Sequence, residues 1–197
     1  SGSGQHRGRG GRAVTRAGLG LALALAFVAA CGASEPRFVS AVDRLSLVAP
    51  AGWSESRDKG SLVFSAPAEG EPGAATASPP VTIAIRSIAV DGAAAGEWDG
   101  VRTPEGVFAA TWRVLAALPQ AKVGQPARFT QDGFTGVSFE LTFVPPSRPG
   151  EPAMARRHVV LVGKKRIFHV LHTGPRGELS RSADVFSKIL ASLREEV

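Results

Sequence analysis

The sequence is poor in residues that cross-link chains or build metal clusters. Among its 197 residues there is one cysteine, Cys31, and no asparagine. A single cysteine excludes an intrachain disulfide and any zinc or iron–sulfur site built from several cysteines. The lack of asparagine excludes an N-glycosylation acceptor. With 44% hydrophobic and 20% charged residues, the composition is that of a globular chain with room for one domain.

Motifs of the common catalytic classes are also missing. The sequence has no G-x-S-x-G nucleophile elbow, no H-E-x-x-H zinc motif and no G-x-x-x-x-G-K-[ST] phosphate-binding loop. Its acidic residues are scattered, without a pair at helical spacing directed inward. We therefore expect a protein that is not an enzyme and has no cofactor.

The net charge of +6 does not indicate nucleic-acid binding. Four of the 23 basic residues lie in residues 1–30, which contain no acidic residue, so 19 basic residues face 17 acidic ones in the rest of the chain. Because the basicity belongs to the leader, we expect no nucleic-acid partner.

Residues 1–30 have the pattern of a secretory signal. Four arginines precede an uncharged run of 14 residues, Ala17–Ala30, which is shorter than the roughly 20 residues that span a bilayer. The first four residues, Ser-Gly-Ser-Gly, contain no initiating methionine and are interpreted as a tag or a trimmed start.

The end of this run resembles a bacterial lipobox. Val28, Ala29 and Ala30 precede Cys31, whose thiolate is the natural acceptor of an acyl chain. This pattern predicts a lipoprotein bearing diacylglycerol and palmitate on Cys31, with residues 31–40 as a tether and 41–197 as one domain. The domain would face the periplasm or the cell exterior, and Gly32 favours the outer membrane where there is one. The alternative is an ordinary signal peptide with Cys31 as a free thiol.

Strand signals occur in two groups, with one helix between them and one at the end. The predicted strands are 44–50, 61–65, 81–90, 127–130, 135–144, 157–162 and 166–172. Helices are predicted from Thr103 to Pro119, with Trp112 in the core, and from about Glu178 to Glu195. This grouping predicts an α+β domain with a central antiparallel β-sheet and helices packed on it.

Several motifs in order resemble the PsbP-like superfamily, which includes the DcrB-like bacterial lipoproteins. The motifs are Pro50-Ala51-Gly52-Trp53 after an early strand, the apolar strand Val81–Val90, the Gly133…Gly136-Val-Ser-Phe-Glu stretch, a hairpin with a basic turn, and a closing helix with Phe186…Ile189-Leu190-Ala-Ser192-Leu193. They span roughly residues 38–195. The resemblance implies an α/β/α sandwich and a domain that binds partners without a shared chemistry. The predicted function is therefore a non-enzymatic accessory or protein-binding module of the envelope, with an unknown envelope protein as partner.

The alternative function is a metal- or small-ligand-binding sensor or enzyme that uses His158 and His169 on the last predicted hairpin. If Gly163-Lys164 form the turn, His158 faces His169 across the strands, and two imidazoles could bind zinc. If the turn is Lys164-Lys165, His158 faces residue 171 and the site disappears. His172 would lie on the opposite face of the sheet. The more frequent arrangement is histidines that cover a half-exposed strand.

Two further features are candidate partner contacts. Lys164, Lys165 and Arg166, with Arg156 and Arg157 at the other end of the preceding strand, form a basic cluster. It could meet anionic lipid headgroups, although a charged hairpin tip is more often only solvated. Trp98 lies in a Gly/Asp loop without an obvious core to enter. Specificity would reside in the loops 66–80, 91–103 and 145–154.

Overall fold

A computed structural model describes residues 36–67, 79–90, 103–118, 120–145 and 153–196. These residues belong to a single compact unit. The helices are α1 (Pro104–Ala116) and α2 (Ala183–Ser192). The strands are β1 (Arg37–Ser40), β2 (Leu45–Val48), β3 (Ser54–Asp58), β4 (Ser61–Ser65), β5 (Thr82–Ala89), β6 (Lys122–Val123), β7 (Ala127–Gln131), β8 (Phe134–Phe143), β9 (Met154–Val162), β10 (Arg166–Pro175) and β11 (Arg194–Glu195).

A large antiparallel sheet forms the centre of the fold. Its strand order is β3-β4-β5-β10-β9-β8-β6, and β7 also pairs with β8. Every pairing in it is antiparallel. The predicted α+β class with a central antiparallel sheet is confirmed.

A second, three-stranded sheet has the order β1-β2-β11. The sequence predicts a tether over residues 31–40, but residues 37–40 form β1 and pair with β2. Phe38 explains the difference, because its ring packs edge-to-face on Phe64 of the large sheet with centroids 5.9 Å apart. The folded domain therefore begins before residue 41.

The two faces of the large sheet pack against different elements. One face carries the main core, in which side chains of β4, β5, β9 and β10 meet α2 and the small sheet. Its largest fully buried members include Phe64, Phe168, Phe186, Leu161 and Ile189. The other face packs on α1 through side chains of β8, β9 and β10. Strand alternation therefore produces a helix layer on each side of the sheet.

Helix α1 begins as predicted but is rotated from the predicted orientation. The Thr103 side chain caps it by accepting a hydrogen bond from the Gly106 amide at 3.2 Å. Val107, Thr111 and Leu115 are buried, whereas Trp112 is 44% exposed. The prediction that Trp112 lies in the core is wrong, because the i, i+4, i+8 row of residues 107, 111 and 115 faces the sheet instead.

The C-terminal boundaries also differ from the prediction. Strand β10 continues through Gly174 and Pro175, and α2 begins only at Ala183. Residues 194–195 leave the helix and pair with β2, where the Glu196 amide donates to the Arg44 carbonyl at 2.9 Å. Within the described residues, no helix is long and apolar enough to cross a membrane.

An ion pair between a buried carboxylate and an exposed arginine joins the small sheet to the large one. Asp43, in the β1–β2 turn, accepts hydrogen bonds from Ser40 Oγ at 2.5 Å and from Arg57 Nη2 on β3 at 2.6 Å. Burial alone would raise the pKa of Asp43, but the hydrogen bonds from Arg57 and Ser40 and the charge of Arg57 together lower it. The ionised carboxylate is therefore part of the folded state.

Replacing Asp43 with Asn is expected to lower the free energy of unfolding by about 1–3 kcal/mol at neutral pH, because charged hydrogen bonds are lost. Since the folded-state pKa lies below the unfolded value of about 3.9, the wild-type advantage is present above that pH and disappears as the pH falls through the folded-state pKa. Urea unfolding at a series of pH values measures both the loss at neutral pH and its disappearance at low pH. Glu140→Gln, which breaks the exposed Arg157–Glu140 pair, is the matched control and should cost less than about 1 kcal/mol. Equal losses in the two variants would contradict the assignment.

Candidate functional site

A cavity of about 440 Å³ lies between α1 and the large sheet. We call it the α1-side cavity. Helix α1 packs on β8 and β9, so it leaves the same face of β4, β5 and β10 only partly covered. The residues lining the cavity are Asp58, Lys59, Ser61, Val63, Thr82, Ala84, Arg86, Ile88, Thr111, Val114, Leu115, Arg156, His158, His169, Leu171 and Thr173.

Two histidines of the β9–β10 hairpin form part of the cavity wall. His158 pairs in register with Leu171, so the turn is Lys164-Lys165, the second of the two predicted registers. The imidazoles nevertheless meet, because His158 and His169 are diagonal neighbours on one face of the sheet. Nε2 of His158 lies 2.9 Å from Nδ1 of His169, and the residues are only 4% and 6% exposed. The two histidines are therefore neighbours even in this register, and their burial contradicts the expectation that they cover a half-exposed strand.

Both imidazoles of this pair are neutral at physiological pH. Burial lowers the pKa of His158 well below its usual value, and the neighbouring His169 and the charge of Arg156 lower it further. Burial, with the charge of Arg86, lowers the pKa of His169 to about 4. In a neutral pair one ring donates and the other accepts, so the tautomer of His158 decides whether its second nitrogen, Nδ1, is a donor.

Two residues that line the cavity each have a buried polar atom without a hydrogen-bond partner in the part of the chain that the structure describes. The two atoms are Nδ1 of His158 and Oγ1 of Thr111. Native structures seldom leave buried polar atoms unsatisfied, because each costs about 1–3 kcal/mol. A bound molecule that supplies the missing partners would remove this cost.

Arg156 brings a positive charge to the same wall. Its Nε donates to Thr173 Oγ1 at 2.9 Å, and its guanidinium lies 5.0 Å from the centroid of the Phe143 ring. Burial lowers the pKa of Arg156. Across the described ranges no carboxylate pairs with it. The cavity therefore contains a half-buried cation whose charge the described side chains leave uncompensated.

The predicted zinc alternative meets a geometric obstacle. The facing nitrogens of His158 and His169 share a hydrogen bond, so neither is free to coordinate a metal. In addition, no group of three His, Cys, Asp or Glu that could hold a metal occurs among the described residues. His172 lies on the opposite face, as predicted, where it stacks on Phe186 at 4.8 Å and shares a 2.7 Å hydrogen bond with Ser182.

The basic cluster lies at the tip of the hairpin between two central strands. The backbone amides of Lys164 and Lys165 each donate to the carboxylate of Glu195 at 2.8 Å. Arg166 Nη1 donates to Ser87 Oγ at 2.8 Å. The side chains of both lysines are exposed. The cluster is thus separate from the cavity, to which Arg156 alone of the predicted basic residues contributes.

Several predicted sites lie outside the described residues. These are the lipidation site Cys31 with Val28, Ala29 and Ala30, and Trp98 with most of the loop that contains it. Most of the loops 66–80, 91–103 and 145–154 lies outside as well. Their predicted roles stay predictions.

A larger cavity of about 660 Å³ lies on the opposite face, against α2. Phe129, Phe186 and Leu190 contribute to its wall. Its cation, Arg157, is already paired with Glu140 at 2.7 Å. Its cation is therefore compensated, whereas Arg156 in the α1-side cavity is not paired with a carboxylate of the described residues.

Sequence reasoning missed Thr111 and Arg156 as cavity residues. A signal for each was present. Thr111 is a polar residue in the buried row of α1, and Arg156 lies two residues from His158, which places both on one face of β9. Only the orientation of α1 and the strand order show that Thr111 and Arg156 line the same cavity.

No protein-family model matches the sequence, and no curated protein matches it either. Solved structures are nevertheless similar in fold. The PsbP protein CyanoP of Synechocystis sp. PCC 6803 matches with a TM-score of 0.52 and 14% identity, over 81% of this chain and 91% of CyanoP. LpqN of Mycobacterium tuberculosis, which is involved in cell envelope biogenesis, matches with a TM-score of 0.52 and 14% identity, over 76% of this chain and 81% of LpqN. PA94 of Pseudomonas aeruginosa matches with a TM-score of 0.50 and 14% identity, over 79% of this chain and 93% of PA94.

At this identity the likeness extends to the fold and not to an activity. It agrees with the antiparallel sheet between two helix layers and with the resemblance noted in the sequence. The chain therefore has a fold similar to that of the PsbP protein CyanoP.

Proposed function

We propose that this protein is a lipid-anchored module of the cell envelope that binds a small ligand in the α1-side cavity and is not an enzyme. The observation that carries the proposal is that two residues lining the cavity, His158 and Thr111, each have a buried polar atom without a partner among the described residues, Nδ1 and Oγ1 respectively. A wall that is largely apolar, with a few converging polar groups, is the usual form of a small-molecule site.

The chemistry of the wall supports binding over catalysis. A nucleophilic mechanism needs a hydroxyl or thiol beside a base that a third group orients. Here the imidazole of His158 contacts another imidazole. The only carboxylate in the lining is that of Asp58, an exposed residue.

The lipid anchor follows from the lipobox pattern that ends at Cys31. The involvement of LpqN, a protein of similar fold, in cell envelope biogenesis supports the same location. The envelope partner would then meet a domain held at the membrane surface, with Lys164, Lys165 and Arg166 available to anionic headgroups.

Mass spectrometry of the full-length protein recovered from its own membranes tests both parts. Under denaturing conditions we expect a chain that begins at Cys31 and is heavier by a diacylglycerol, with or without a further acyl chain. Under native conditions we expect an additional non-covalent adduct. Ala84→Phe, on the cavity wall, should remove that adduct by filling the space.

The matched control is Ala127→Phe, which places the same ring in the larger cavity on the α2 side. It should keep the adduct. An unmodified chain cut near residue 31 would refute the anchor. An absent adduct in the wild type, or an adduct that survives Ala84→Phe, would refute the ligand site.

A further inference from the structure

We propose that the ligand of the α1-side cavity is a short amphiphile with a carboxylate head, held by Arg156 and by a hydrogen bond from His158. This inference rests on the proposed function and adds the chemical class of the ligand. Three features of the cavity lead to it: its charge, the donor residues in its lining and its apolar wall.

The charge of the lining selects an anion. Lys59, Arg86 and Arg156 contribute three positive charges, against one negative charge from Asp58. Asp58, Lys59 and Arg86 are exposed, so water screens them. Arg156 is the charge nearest the interior, and a single half-buried cation is matched best by one negative charge.

Two residues with hydrogen-bond donors, His158 and Thr111, line the same cavity as Arg156. Because Nε of Arg156 already donates to Thr173 Oγ1, the terminal nitrogens of its guanidinium stay available for a carboxylate. His158 lies two residues further along the same face of β9, and the charge of Arg156 influences its pKa. Thr111 contributes to the lining from α1, across the cavity from the sheet.

An anion would also decide the tautomer of the histidine pair. If His169 Nδ1 donates to His158 Nε2, the proton of His158 resides on Nδ1, which becomes a donor. The reverse arrangement leaves Nδ1 as an acceptor, which a carboxylate would repel. Binding of a carboxylate therefore selects the Nδ1–H tautomer of His158.

The rest of the wall fits an aliphatic tail. Val63, Ile88, Leu115 and Leu171 line the cavity, and Val114 at its rim is 70% exposed. A tail laid over these residues would remove apolar surface from water. A volume of about 440 Å³ suits a small molecule with a chain of modest length.

Calorimetric titration of the full chain with decanoate tests the inference, with decanol and decyl phosphate as probes of equal chain length. We expect decanoate to bind about tenfold to a hundredfold more tightly than decanol, because only the acid offers a charged acceptor. Decyl phosphate, which is larger and more highly charged, should bind less tightly than decanoate.

Neighbouring arginines supply a matched pair of variants. Arg156→Gln should weaken decanoate binding about tenfold to a hundredfold. Arg157→Gln removes the same charge from the opposite face of the same strand and should leave the affinity unchanged. Nitrogen-15 spectra of His158 should shift to the Nδ1–H tautomer on addition of decanoate. The probe series uses the wild type, so it decides the question even if Arg156→Gln fails to fold.

Three results would overturn the inference. Decanol could bind as tightly as decanoate, the two arginine variants could weaken binding equally, or decyl phosphate could bind most tightly. If the native adduct disappears in Ala84→Phe while decanoate fails to bind, the ligand site stands and the carboxylate class is wrong. If the adduct is also missing in the wild type, the proposed ligand site itself is wrong.

Discussion

Unfolding of the protein in mildly acidic solution is expected to take up close to three protons. His158, His169 and His172 are all buried in the folded domain. Burial, with the charge of Arg86, lowers the pKa of His169 to about 4. Burial, with the charge of Arg157, lowers that of His172 to about 4 against a smaller opposing effect of Glu140. Burial lowers the pKa of His158 well below its usual value. All three become ordinary, protonatable imidazoles in the unfolded chain.

The sign of the effect follows from the lowered values. A histidine that is harder to protonate when folded stabilises the fold fully above its unfolded pKa of about 6.5, and this stabilisation is lost as the pH falls toward the folded pKa. For His169, a change from about 6.5 to about 4 corresponds to about 3 kcal/mol. With three such groups, the free energy of unfolding changes with pH by at most about 4 kcal/mol per pH unit.

Urea unfolding midpoints between about pH 7 and pH 4.5 measure this slope. His172→Gln, which keeps a side chain able to bond Ser182, should reduce the uptake by one proton. Asp43 does not contribute in this range, because its lowered pKa places its effect below about pH 4. An uptake below one proton would show that the folded domain admits protonated imidazoles, contrary to the burial described above.

The second large effect concerns the location of the core. Phe168→Ala is expected to lower the free energy of unfolding by about 3–5 kcal/mol, because it leaves a cavity where a fully buried ring was. The ring of Phe168 packs edge-to-face on Phe134, with centroids 5.7 Å apart. Trp112→Ala, on the exposed side of α1, should cost less than about 1 kcal/mol despite the larger side chain.

Equilibrium denaturation of the two variants provides the comparison. The contrast is informative because the sequence predicts Trp112 as a core residue. If Trp112→Ala lowered the free energy of unfolding as much as Phe168→Ala, Trp112 would be a core residue as the sequence predicts. Helix α1 would then have to be rotated by roughly 100° about its axis, the angle between successive residues.

The elements with strong local signals were predictable from the sequence. Strand β5 alternates β-branched residues, and Asp132-Gly133 form a tight turn with φ angles of 43° and 86°, as Asp-Gly pairs in hairpins commonly do. Thr103 caps α1 as expected. These features depend on contacts between residues close in sequence, and together they were sufficient for the fold class.

Elements that depend on distant partners were not predictable. Strand β3 (Ser54–Asp58) is exposed along its whole length and has no apolar alternation. The two-residue strands β6 and β11 exist only through pairing with β8 and β2. The hairpin register remained open because Gly163, Lys164 and Lys165 allow two turns, and only the neighbouring strands select one.

The candidate site was predictable in part. The meeting of His158 and His169 was among the alternatives, although it arises from a diagonal contact and not from direct pairing. The role of Arg156 depends on which face of β9 turns toward α1. That choice is a property of the whole sheet, and a single strand does not encode it.

The small sheet has a consequence for the order in which the chain can fold. Its central strand β2 is flanked by β1 from the beginning of the domain and by β11 from its end. A polypeptide that emerges from the N-terminus can pair β1 with β2 early, but the other edge of β2 stays unpaired until residues 194–195 have appeared. Contacts over such a separation slow folding. Until α2 and β11 have been synthesised, the apolar side of β2, with Leu45 and Leu47, lacks part of its cover, and a holding chaperone would find a substrate there.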